Sequence, residues 1–498
     1  MLKTNPFMRL VAKDIAYLVL AIILLRLSKG AFVFLIVLAS AAFSLHKKGG
    51  AAVACFVSLF FLQNVNFAIV PATVMMNIGC KIGIAIIGMS MVVANAPKSR
   101  YRLPLGGLAG YMIWMSISSA QGYFPLISYL KILNYSLFLL AIGFSVRYMQ
   151  LSRNDAMQIR AMFLAIAFIM VIGSIMTLPF PSIAYSRQLE KAASYGIEIT
   201  GEMLLASDEM SLFNGLSWHS QALAPMVAIT ALFVGCDMLF IEKRFTLIHI
   251  AILAVSPVEM FMTRSRTALS TAMIGGLVLV FYAVKNAAIP LSLKKNVRSL
   301  TTIFIVLGLI GLVVLQLHDQ GLDKWLRKTE DVQTDDRTLG EAITSTRMAS
   351  IEMNIDDFKR SPVLGTGFQV MFFFPYLYQH VPFTSLLSAP CEKGETPLVV
   401  FAEGGVVGGT LFYIFVIAFY AYCVRRKLVC LLTLFTAQMV SNFSESTFFS
   451  PTGAGGYLWI FTMLGGMTLD YIVATLCDIH DPRYNIDTTI QDPYRVGR

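Results

Sequence analysis

The sequence predicts an all-α polytopic membrane protein with about 12–14 transmembrane helices and a large extracytoplasmic loop domain. Composition comes first: of 498 residues, 56% are hydrophobic and 14% charged, with a mean hydropathy of +0.69. Soluble chains carry about 25% charged residues. Second, apolar runs long enough to cross a bilayer recur along the chain. Third, every second short linker is basic, the signature of cytoplasmic loops.

Candidate spans lie at 11–27, 30–45, 50–71, 75–95, 104–120, 124–147, 160–180, 219–240, 246–262, 266–284, 299–317, 397–423, 428–448 and 455–476. The N-terminal "MLKTNPFMRLVAKDIAYLVL" has a basic start and an apolar core without a small-residue cleavage site, and reads as a retained first helix. With that terminus in the cytoplasm, "HKK" (46–48), "PKSRYR" (97–102), "RYMQLSRNDAMQIR" (147–160), "EKR" (242–244), "LKKNVR" (293–298) and "RRK" (425–427) all fall inside, as does the tail. Outer linkers such as "NVNFAIVPATV" and "SSAQGYF" are short and nearly neutral, except for two long ones at 181–218 and 318–396. The chain therefore divides into N-terminal helices (1–180), a first long outer loop (181–218), middle helices (219–317), a large outer loop domain (318–396), C-terminal helices (397–476) and a polar cytoplasmic tail (477–498).

The net charge of +10 belongs to this loop asymmetry, and no aromatic-interleaved basic patch suggests nucleic acid. Seven cysteines, none in a CxxC pair, suggest neither a disulfide framework nor a zinc site.

The loop at 318–396 reads as ordered. Met348, Ile351, Ile355 and Phe358 recur at helical spacing and form one apolar stripe. Asp335 and Asp336 precede this helix, Lys359 and Arg360 fall in its last turn, and Pro362 and Gly365 end it. Arg347 then sits near its start, off the stripe. Residues 370–390 are aromatic and apolar but interrupted by Pro375, His380 and Pro382, so they either lie on the membrane surface or pack within the loop.

Arg264 and Arg266 open the span at 266–284 from the outer side, where the positive-inside rule does not account for them. They are either snorkelling anchors or an anion site. Trp218 and His219 open the span at 219–240. Within spans, Lys81, Lys131, Glu259, Glu403 and Glu445 are costly unless they face a cavity or a partner. Gly404, Gly405, Gly408 and Gly409 suit close helix packing.

Four blocks occur in order on the outer side: "FNGLSWHSQALA", "TRSRTALST", "STRMASIEMNIDDFKRSPVLGTGF" and "ETPLVVFAEGGVVGG". Together they resemble the O-antigen ligase and O-antigen polymerase superfamily of bacterial envelope polysaccharide enzymes. The resemblance covers the second half of the chain and implies a GT-C-like glycosyltransferase architecture in the bacterial inner membrane, with a periplasmic active site and no metal or other cofactor. It implies a polyprenyl-diphosphate-linked glycan donor, a glycan acceptor, contact with membrane lipid, and a chain-length regulator and flippase as partners.

Carried over by position, Ser265 and Arg266 match the family's Ser-Arg, Arg347 its loop arginine, Gly215 and His219 its first block with Gln221 where Asn is usual, and Glu403 its glutamate. Arg266, with Arg264 and Arg347, would hold the departing diphosphate. Ligases of the family carry a loop histidine before that glutamate; here its position is Gly394, followed by Glu395. Either Glu395 supplies the base, or His380 or His219 does, or none is needed. Ser265, Gln221, His380, Glu403 and Glu445 are expected near substrate. Three functions fit these features: a polymerase joining lipid-linked repeat units, a ligase moving the glycan to lipid A-core or protein, and a flippase or transporter. The absence of a repeat between the halves and the long loop at 318–396 weigh against the last.

Overall fold

The computed structural model describes residues 6–28, 50–66, 69, 105–149, 153–185, 213–217, 220–285, 339–370, 394–443, 447–451 and 453–477. Among them the protein is an all-α polytopic membrane protein: no strand occurs, and six helices are long and apolar enough to cross a membrane. Every proposed span carries a helix except those at 30–45, 75–95 and 299–317, which lie outside the described residues. The helices are α1 (Pro6–Leu27), α2 (Gly50–Gln63), α3 (Gly106–Ala120), α4 (Pro125–Met149), α5 (Arg153–Phe168), α6 (Ser220–Cys236), α7 (Leu247–Met262) and α8 (Arg266–Lys285). There follow α9 (Leu339–Arg360), α10 (Thr396–Arg426), α11 (Val429–Asn442), α12 (Gly453–Trp459) and α13 (Gly466–Cys477). A π turn extends α5 (Ile169–Gly173) and α6 (Asp237–Glu242), and another (Ile460–Gly465) joins α12 to α13.

Apolar sequence makes helices here because lipid offers no partner for a bare backbone group. Burial separates inner from outer helices. The α6 span is 89% buried, against 28% for α8 and 39% for α10, so among the described spans α6 lies inside and the other two turn a face outward. Helix ends are closed by side chains from other elements. Asp155 Oδ1 accepts the Gly50 N–H at the start of α2 (2.8 Å). Asp470 accepts from Cys430 and Leu431 (3.0 and 2.9 Å) at the start of α11.

Contacts fix the helix directions. On α8, Gly275 abuts Leu232 of α6 and Ala437 of α11, while Leu279 reaches Gly235 one turn further along both chains. So α6 and α8 run parallel. Cys236, at the end of α6, neighbours Cys430 at the start of α11. Thus α11 runs opposite to both, and its C-terminus shares an end with the N-termini of α6 and α8. The same end gathers other predicted outer linkers: Asn66 donates to Ile183 and Gly215 carbonyls (3.0 and 2.9 Å), and the Tyr123 N–H donates to Thr366 O (3.2 Å).

α9 forms where the sequence places it, but its buried face differs. Met348 and Ile355 of the expected apolar stripe are 48% and 40% exposed, while Asn354 and Asp357 are buried. Asp357 is buried because Tyr123 donates to its Oδ1 (2.9 Å); Tyr123 also accepts from Arg360 (3.1 Å). Only Phe358 of the stripe stacks edge-on to α10, at Phe401 (6.3 Å between centroids). Polar pairing with the α3–α4 turn joins packing on α10 in orienting this helix. It also starts at Leu339, so Arg347 stands two turns inside it rather than near its start.

Candidate active site

The turn after α9, "SPVLGTGF", and the glycine-rich stretch of α10 form one interlocked unit. α10 is broken at Gly405, whose φ of 63° and ψ of −167° suit only glycine. The break frees backbone groups that lipid cannot satisfy, and the α9–α10 turn takes them up. Val406 N–H donates to Pro362 O (2.8 Å), Thr366 N–H to Ala402 O (3.0 Å) and Gly367 N–H to Glu403 O (3.1 Å). From α3, Ser118 Oγ donates to Glu403 O and Trp114 Nε1 to Gly404 O, both at 2.7 Å. Gly404 and Gly408 lie against Met115 and Trp114, the close packing expected of them; Gly405 instead makes the break. Phe368 plugs the turn into an aromatic core with Tyr135 and Phe449, and the buried Lys131 donates to Gln369 O (2.8 Å). That bond accounts for one intramembrane charge found in the sequence.

The expected site residues divide. Ser265 caps α8: its Oγ accepts the Ala268 N–H (3.3 Å). Arg264 stands just before it in a left-handed conformation (φ 50°), and Arg266 is the first residue of α8. The two arginines are therefore held at a sharp α7–α8 corner, both half-buried. Gln221 is exposed in the first turn of α6 at the same end. Glu403 is buried at the break, its backbone carbonyl used by the clasp. His219, His380 and Glu445 lie outside the described residues, as do Lys81 and Trp218.

Glu395 immediately precedes α10, in extended backbone (φ −82°, ψ 123°), and its carboxylate does not cap the helix. Gly394 before it has φ 84°, and a Cβ there would lie 2.9 Å from the Ser350 Cβ of α9. Two conditions thus strain a histidine at that position: the left-handed backbone and the close approach of α9. Arg347 stands one turn before Ser350 on α9, so its backbone lies alongside the Gly394–Glu395 corner. After Glu395, the Thr396 hydroxyl donates to Asn442 Oδ1 at the end of α11 (3.3 Å). One end of the bundle therefore brings together the Arg264–Arg266 corner, the α9 turn bearing Arg347, and Glu395.

Sequence reasoning missed two features. Asn442 is one; a polar residue closing an apolar run was its signal. The other lies at the opposite end. There, buried Arg160 of α5 meets Asp237 (2.5 and 2.9 Å) and Glu242 (2.6 Å). Asp237 also bonds His249 of α7 (2.8 Å), which in turn bonds Thr246. Phe7 of α1 covers the guanidinium (4.0 Å). This network ties four helices together and lies far along α6 from the arginine corner. Among the described residues no cluster of His, Cys, Asp and Glu could hold a metal ion.

Residues 249–413 match the family model described as Wzy_C, O-antigen ligase. That segment runs from α7 through the α10 break and so includes Arg264, Arg266, Arg347, Glu395 and Glu403. No curated protein matches the chain.

Proposed function

We propose, from the match of residues 249–413 to the O-antigen ligase family model, that the chain is a metal-independent glycosyltransferase acting on polyprenyl-diphosphate-linked glycan at the outer face of the bacterial inner membrane, and that it polymerises repeat units. Both termini then lie in the cytoplasm. The observation that carries this reading is the convergence of the arginine corner, α9 and Glu395 at one end of the bundle. The acceptor sugar hydroxyl attacks the anomeric carbon of the donor and Glu395 takes its proton. The carbon–oxygen bond to the lipid diphosphate breaks, and the leaving group gains charge. Arg266 and Arg347 hold that charge, with Arg264 assisting from the turn; an arginine fork matches diphosphate oxygens, and a partly dry membrane edge strengthens the bonds. Membrane lipid, the carrier's polyprenyl chain, a flippase and a chain-length regulator are its partners in this scheme.

Gly394 favours polymerase over ligase. The position where ligases carry a loop histidine is occupied by a glycine at which the close approach of α9 strains any side chain. A ligase moving finished glycan to lipid A-core or protein is the second reading.

The test is a glycan gel of cells lacking the gene and complemented with wild type, Arg266→Lys or Arg266→Ala. A polymerase leaves single repeat units on the acceptor in the deletion strain, and wild type restores long chains. Arg266→Lys keeps expression but loses most activity, because a point charge replaces a bidentate fork. Long chains stranded on the carrier lipid would mark a ligase instead. Repeat units retained inside, with export restored by Arg266→Ala, would mark a transporter and end the glycosyltransferase reading.

A further inference from the structure

We propose that Asn442 is the positioning residue for Glu395, a role that rests on Glu395 being the base. Asn442 closes α11 and is 1% exposed. A buried amide at the end of an apolar helix is costly unless its polar atoms are used, and these are. Nδ2 donates to the Gln438 carbonyl one turn back (2.8 Å). That bond fixes which way the amide faces, so Oδ1 points away from its own helix. Oδ1 then accepts two hydroxyls, Thr396 Oγ1 (3.3 Å) and Thr447 Oγ1 (3.2 Å), filling both lone pairs.

The three tethered pieces are the end of α11, the segment after it, and the first residue of α10. Thr396 is itself 1% exposed and directly follows Glu395. On the other side of Glu395, Gly394 rests on Ser350 of α9. The glutamate is thus held between two seats, one on the helix that carries Arg347 and one on Asn442. The Glu395 carbonyl, engaged by the Leu398 and Val399 N–H groups (both 3.1 Å), keeps its backbone from rotating. Asn442's amide bonds only its own chain here; it sets where the neighbouring carboxylate stands. A misplacement of about 1 Å costs up to roughly 100-fold in rate.

The experiment uses the full chain in lipid nanodiscs, with lipid-linked repeat units extracted from the deletion strain, and follows rate against substrate concentration. Glu395→Gln comes first, because it tests the base alone: loss of turnover supports the base, and full turnover ends that reading whatever Asn442 does. With Glu395→Gln reduced to a small residual rate, Asn442→Ala and Thr396→Val each lower kcat about 10- to 100-fold with KM little changed. Thr396→Ser restores the rate, since it restores only the hydroxyl. Asn442→Ala in the Glu395→Gln background lowers the residual rate no further. Wild-type kcat in Thr396→Val, or equal loss in Thr396→Ser and Thr396→Val, overturns the proposal. So does a fall in KM-limited rate alone. Thr396→Val decides the matter even if Asn442→Ala fails to fold.

Discussion

Replacing Gly405 by alanine tests whether the α9–α10 clasp holds the active end together. The backbone there (φ 63°, ψ −167°) lies in a region essentially closed to other residues, at a cost of about 1–3 kcal/mol. A Cβ would also stand 2.1 Å from Val363 O, so the turn must retreat. Retreat breaks the Val406–Pro362 bond and strains those from Thr366 and Gly367 to α10, each worth about 1 kcal/mol net. Together these amount to roughly 3–6 kcal/mol of local destabilisation. Each 1.4 kcal/mol is about tenfold in an equilibrium, so hydrogen exchange at the Thr366, Gly367 and Val406 amides should accelerate about 100-fold or more. Transfer activity should fall with it, because Arg347 and Gly394 depend on where α9 sits. Gly276→Ala is the control. A Cβ there meets nothing within 4 Å, and alanine in a helix is about 0.5–1 kcal/mol better than glycine. Unchanged exchange in Gly405→Ala, or equal acceleration in Gly276→Ala, would refute the clasp.

Two further outcomes follow from other parts of the fold. Arg160→Ala leaves Asp237 buried without its main partner and should cost about 3–5 kcal/mol, read as a large drop in melting temperature in detergent. Arg160→Met combined with Asp237→Leu should recover much of that loss; a double variant worse than Arg160→Ala would show that the charges themselves are needed. Gly394→His should lower both melting temperature and polymerisation without creating ligase activity, since the backbone (φ 84°) and the Ser350 side chain strain any Cβ there. Transfer of long glycan to lipid A-core by this variant would overturn the reason given for the glycine.

The sequence alone determined the class of the molecule. Low charge and recurrent apolar runs mark a membrane protein, because a helix that crosses lipid must present apolar side chains to it. It also placed the end of α9, where Pro362 and Gly365 follow a basic last turn, although Pro225 and Pro257 lie inside other helices. The resemblance singled out Arg266, Arg347 and Glu403 by order and spacing. Only the tertiary structure decided the rest. Periodicity put Met348, Ile351, Ile355 and Phe358 on one apolar stripe, but Met348 and Ile355 are exposed while Asp357 is buried against Tyr123 of the α3–α4 turn. The glycine run read as tight packing; a break at Gly405 requires the "SPVLGTGF" turn, some forty residues earlier, to supply partners for the bonds it frees. Asp237 and Arg160 are 77 residues apart, and Asn442 and Thr396 are 46 apart. Local pattern reports which face of a segment is apolar. It does not report which distant polar group will arrive to satisfy a buried one, and in this protein those arrivals set the site.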